Sequence, residues 1–119
     1  MSGVSSPPSA NTPYKNLDVD ETGVLVSAGF HVIESVYFYN AAATVRYGKL
    51  YDKATAPTVG TDVPVHTYPI PPGLGVVVTV PNGGLGFSLG IGIGATTGLA
   101  DNNTGAPAAN DVICNIVYR

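Results

Sequence analysis

Histidine is the side chain whose ordinary pKa suits proton transfer near neutral pH, and this sequence holds two, His31 and His66. Ser35 and Glu34 stand close to His31 in the chain, which gives on paper a nucleophile, a base and an acid. The run around them is strand-like. Neighbours at odd spacing on a strand point to opposite faces, so Glu34 does not orient His31. Both histidines therefore read as surface or half-buried strand residues. No catalytic residue is assigned, and the chain reads as a non-enzyme.

Other chemistries fail on spacing. Gly90-Ile91-Gly92-Ile93-Gly94 invites comparison with dinucleotide-binding loops. That fingerprint needs glycines at its first, third and sixth positions and a helix to follow, whereas these alternate inside a strand pattern. Asp101, Asn102, Asn103 and Asp111 form the one concentration of oxygen ligands, without a calcium-type pattern, and Asx-rich turns are common without metal. No metal and no cofactor is expected. Asn102-Asn103-Thr104 matches the glycosylation sequon by chance if the chain takes no secretory route. Cys114 has no second cysteine to bridge. With no basic start and no apolar run in residues 1–14, it points to folding in a reducing cytosol.

Short β-prone runs separated by turn signals would hold these residues in place. They cover residues 23–28, 30–40, 43–53, 63–70, 76–80, 85–95 and 112–118. Asn40-Ala41-Ala42 is a connection of hairpin length. Pro81-Asn82-Gly83-Gly84 carries the Asn-Gly signal of a tight hairpin. Pro64 and Pro69 cannot donate to a central ladder, so the fourth run reads as an edge strand or one with gaps in its pairing. Residues 85–95 alternate apolar with Gly or Ser and read as one strand with an apolar face and a nearly bare one. So many glycines imply bending, or another group close to the backbone. Residues 112–118 are apolar on both faces and read as a central, covered strand. The pattern predicts an all-β fold, a β-sandwich or jelly-roll-like barrel of about seven to eight antiparallel strands. Its expected core is Val24, Val26, Ile33, Val36, Phe38, Leu50, Tyr68, Ile70, Val78, Phe87, Leu89, Ile91, Ile93, Cys114 and Ile116.

Residues 1–15, rich in Ser, Pro, Asn and Thr, read as a flexible or partner-bound N-terminal arm, and residues 16–119 as one domain. Pro7, Pro8 and Pro13 bias the arm toward extended conformations, and Tyr14 is an anchor. Charged residues make up 11% of the chain and the net charge is −3, against about a quarter charged in average proteins. That balance argues against direct nucleic-acid binding, and no apolar stretch reaches membrane-spanning length. A weakly charged surface suits a life in an assembly, and equally a Thr-, Asn- and Gly-rich surface that is simply neutral and soluble. Tyr37 and Tyr39, two apart, and Tyr47 and Tyr51, four apart, share a face within their runs; they suit an exposed contact stripe, or half of them complete the core and at least one meets a partner.

The stretch 42–65, Ala42-Ala-Thr-Val-Arg46-Tyr-Gly-Lys-Leu-Tyr51-Asp-Lys-Ala-Thr-Ala-Pro57-Thr-Val-Gly60-Thr-Asp-Val-Pro64-Val, resembles small structural proteins of tailed double-stranded DNA bacteriophages. The same pattern continues in Ile70-Pro-Pro-Gly73, Leu85-Gly-Phe-Ser88, Ala95-Thr-Thr-Gly98 with Ala100-Asp101, and Ala108-Ala-Asn-Asp111, so that it spans residues 22–118. A glycine at Gly48 in the third run departs from it. The resemblance implies a virion protein made in the host bacterial cytoplasm and placed on the outer capsid. It would be a decoration or cement protein that binds across major capsid protein subunits, as a homo-oligomer and more readily a trimer than a dimer. Pro7, Pro8, Pro13, Tyr14, Tyr37, Tyr39, Tyr47 and Tyr51 are the expected partner interface. The alternative is a receptor- or glycan-binding module of a tail fibre, collar or head fibre, using Asp101, Asn102, Asn103 and a stacking tyrosine.

Overall fold

A computed structural model describes residues 10–119 of the chain. Pro7 and Pro8, with the first part of the expected arm, lie outside the described residues. Those that are described contain no helix and nine strands: β1 (Thr12–Asn16), β2 (Val24–Ala28), β3 (His31–Asn40), β4 (Arg46–Asp52), β5 (His66–Ile70), β6 (Gly75–Thr79), β7 (Leu85–Phe87), β8 (Gly90–Thr96) and β9 (Val112–Tyr118). They form two antiparallel sheets. The first has the order β1-β9-β3-β6, with β7 also on β3, and the second the order β2-β8-β4-β5.

Strand alternation sends every second side chain inward. From the first sheet come Val36, Phe38, Cys114 and Ile116, and from the second Leu50, Ile70, Ile91 and Ile93, all buried in one cluster. Burying a side chain such as Phe38 stabilises the fold by roughly 1.5–3 kcal/mol. Gly48 on β4 makes room for it, since a Cβ there would lie 2.7 Å from the Phe38 ring. The glycine departure noted in the sequence is thus a packing device between the sheets.

The pattern of turns predicts local hairpins, and the structure corrects this. Asn40-Ala41-Ala42 carries the chain from β3 in one sheet to β4 in the other. Asn40 holds that corner: its buried Nδ2 donates to Thr44 O and Ile70 O, both at 2.9 Å, and its Oδ1 accepts from Ala42 N. Pro81-Asn82-Gly83-Gly84 makes no hairpin either. Asn82, Gly83 and Gly84 take the expected positive φ values of 58°, 98° and 88°. They form an excursion between β6 and β7, which both pair with β3 on the side away from β9.

Residues 85–95 are not one strand. The chain leaves the first sheet after Phe87 and enters the second at Gly90. Period-two alternation survives the crossing, which hides it from sequence. Leu89, an expected core residue, stands in the crossing and is 55% exposed. The Asp52 carboxylate pins this segment by accepting from Ser88 N, Leu89 N and Gly90 N at 3.2, 2.8 and 3.3 Å. Beyond it, β8 is buried on both faces. A Cβ on Gly92 would lie 2.9 Å from Pro57, and one on Gly94 2.8 Å from Val59. Its bare face is where the loop between β4 and β5 lies down on the backbone.

At the start of the chain, Thr12–Asn16 belong to the sheet rather than to an arm. They pair along β9 from Thr12↔Tyr118 to Asn16↔Cys114.

Candidate functional site

The outward faces of the two sheets differ. On the second sheet, Tyr47, Lys49 and Tyr51 point outward from β4, opposite to Leu50. Lys49 and Tyr51 are nonetheless fully buried. Lys49 Nζ donates to Ala100 O at 2.8 Å, in the loop between β8 and β9. Burial pushes the Lys49 pKa down, against an upward pull from Asp101. Tyr51 lies beside Gly94 under Pro57 and Val59, and its hydroxyl meets no hydrogen-bond partner among the described residues. Burial, with Asp62 and Asp101 adding to it, pushes its pKa up to about 12. Two loops therefore seal much of this face. One is held by Asp62, which accepts from Thr58 N at 2.7 Å and pairs with Lys53. The other is held by Asp111, which pairs with Arg46 at 3.2 Å.

The first sheet has no such cover among the described residues. Its outward face is built in rows by strand register. Pro13 on β1 lies beside Val117 on β9, which lies beside Ser35 on β3. In the next row stand Lys15, Asn115, Tyr37 and Val77, and in the third Ile113, Tyr39 and Gly75. Tyr37, Tyr39, Ile113 and Val117 are half-buried, and Val77 is 66% exposed. The Tyr37 ring lies flat across β6, because a Cβ on Gly75 would stand 2.6 Å from it. A shallow groove of about 440 Å³ follows the β1–β9 side, lined in part by Pro13, Lys15, Asn115 and Val117. Lys15 is the one formal charge among these residues.

The expected contact residues thus divide. Pro13, Tyr37 and Tyr39 share the open face. Tyr14 points the other way, packs against the core and receives a hydrogen bond from Asn16 Nδ2. Tyr47 is half-buried on the second sheet, and buried Tyr51 presents nothing to a partner. The tyrosines form no single stripe, because β3 and β4 belong to different sheets. Sequence reasoning omitted Val77, Ile113, Asn115 and Val117 from this face. The both-faces-apolar pattern of β9 was the available signal, but it reads equally well as a covered strand.

Of the residues considered for catalysis and sugar binding, His31, Glu34 and Asn103 find other partners. His31 Nε2 lies 2.8 Å from Ser27 Oγ and 2.9 Å from Ala28 O. A carbonyl only accepts, so an Nε2–H donated to Ala28 O leaves no lone pair on that nitrogen for the Ser27 hydroxyl. Glu34 pairs with Arg119 instead. Asn103 Oδ1 accepts from Gly98 N and Gly105 N, so the loop uses that oxygen itself. Among the described residues no three His, Cys, Asp or Glu side chains group to hold a metal. Among the described residues no helix is long and apolar enough to cross a membrane. Burial pushes the Cys114 thiol pKa up, away from the reactive thiolate. In comparisons with known proteins, the chain matches no family model, no curated protein and no solved structure.

Proposed function

We propose that this chain is a structural protein of a tailed-phage virion that decorates and stabilises the capsid, seated on the major capsid protein lattice through the open face of its first sheet. The observation that carries the reading is the contrast between the two faces. Loops seal much of one, while the other is flat, tyrosine-bearing and almost free of charge. Tyrosine offers large contact area at low entropic cost, and absent charge means little desolvation penalty on contact.

The fold reading goes with it. β1 pairs with β9, β2 with β8, β3 with β6 and β4 with β5. Such nesting of outer around inner pairs is that of a rolled-up antiparallel ribbon, and the proposed fold is a jelly roll with β7 as an addition. Jelly rolls recur in viral capsid and lectin domains. A fold hosts many functions, so the face and not the fold bears the functional weight.

Size sets the mode of binding. Strands about 4.8 Å apart and rising about 3.3 Å per residue make a face roughly 15–20 Å on a side. That is small against the roughly 800 Å² per partner of a standard interface. A single copy would hold weakly, and an oligomer on a repeating lattice gains by multivalency. Binding only the assembled lattice then stabilises the particle with occupancy.

Co-sedimentation with mature capsids tests this, using the wild type beside Tyr37→Asp/Tyr39→Asp. The wild type should pellet with capsids and raise their heat resistance, and the folded double variant should do neither. Equal binding by both proteins, or by neither, would refute the assignment.

A further inference from the structure

An open sheet edge offers unpaired N–H and C=O groups to any extended chain, and proteins block such edges with proline, bulges, charge or short strands. Here β1 carries Pro13, β5 carries Pro69, β2 is irregular between Leu25 and Ser27, and β7 spans three residues. The remaining border strand, β6 (GVVVT), has no proline, no bulge and no charge. It ends the order β1-β9-β3-β6, and among the described residues no further strand lies beside it.

The direction of its free groups follows from its pairing. Asn40 N donates to Leu74 O at 3.0 Å, and Val80 N to Glu34 O at 3.1 Å. Hydrogen-bonded pairs alternate along an antiparallel ladder, so Val76 and Val78 turn their main-chain groups toward β3. Gly75, Val77 and Thr79 turn theirs away, to the open side.

We propose that β6 pairs antiparallel with β6 of a second copy about a two-fold axis through Val77, joining the first sheets of both into one. In this register Val77 faces the partner copy's Val77 and Gly75 faces its Thr79, and each pair exchanges both main-chain bonds. A two-fold contact must be self-complementary. β6 meets that condition: its outward-bonding residues are symmetric about Val77, and no like charges meet. Exposed Leu74 and Val77 stand at the same edge. Pairing therefore shelters apolar side chains while satisfying the backbone. The assembly is a dimer rather than the trimer that the phage resemblance implies, and it does not depend on capsid binding.

The test is analytical ultracentrifugation of the full chain, with cysteine scanning of β6. A hydrogen-bonded antiparallel pair has Cα atoms about 5.5 Å apart, within the disulfide range of about 4.4–6.8 Å. Buried Cys114 does not compete. Val77→Cys should oxidise to a covalent dimer and Thr79→Cys should not, because each Thr79 faces Gly75 of the other copy. Val77→Pro, which removes the central N–H, should sediment as a monomer. A wild type that stays monomeric at high concentration, or forms trimers, would overturn the proposal. So would Thr79→Cys crosslinking as readily as Val77→Cys. If Val77→Pro does not fold, the cysteine pair still decides.

Discussion

Two buried polar side chains make opposite contributions. Asn40 is satisfied at both ends of its amide, while the Tyr51 hydroxyl has no partner among the described residues. Asn40→Ala would leave Thr44 O, Ile70 O and Ala42 N without that amide at the corner. An unmet buried group costs about 1–3 kcal/mol, so the variant should lose roughly 2–4 kcal/mol in denaturant unfolding. Tyr51→Phe removes an unmet group, and should gain about 1 kcal/mol by the same reasoning. It should also change the alkaline limb. The folded Tyr51 pKa, about 12, lies above the ordinary value of 10. Between the two the unfolded chain ionises and the folded one does not. Stability from this group is thus complete below pH 10 and declines as pH rises toward 12. The unfolding free energy measured across that window should fall less steeply in Tyr51→Phe than in the wild type.

At the scale of elements, the passage from Phe87 to Gly90 shows what a period-two pattern carries and what it omits. Asp52 reaches Ser88, Leu89 and Gly90 across the end of the second sheet. Asp52→Ala should cost about 1–2 kcal/mol, since water can replace part of the lost charge-assisted bonds. Hydrogen exchange should quicken most at residues 88–90. Strand existence was legible in the runs around Ile33, Leu50, Val78 and Ile116, because alternation and β-branched residues are local signals. Strand partnership was not. Asn40 and the 81–84 segment have turn chemistry, but the same turn residues serve a hairpin, a crossing between sheets or an excursion within one edge. β1 was hidden because Ser, Pro and Asn around it match a loose terminus, and only pairing with β9 orders Thr12–Asn16. For the open face, Tyr37 and Tyr39 were visible in sequence. Their separation from Tyr47 and Tyr51 depended on which sheet each strand joins, a long-range fact.

At the scale of the whole molecule, the asymmetry of the two sheets and the open edge of β6 act together. Pairing through β6 would extend the open face across both copies without turning it aside. A dimer then presents twice the contact area to a repeating surface, which offsets the small reach of one copy. The sealed second sheet, with its loops at residues 53–65 and 97–111, would face away from that surface. The most direct measurement of this account is the distribution of the chain on phage particles, read by cryo-electron microscopy of capsids incubated with the purified protein. Density for the chain at regular lattice positions, with Tyr37 and Tyr39 against the major capsid protein, is the predicted result. Capsids that remain bare at saturating protein, or density that meets the lattice through the loop-covered sheet, would contradict it.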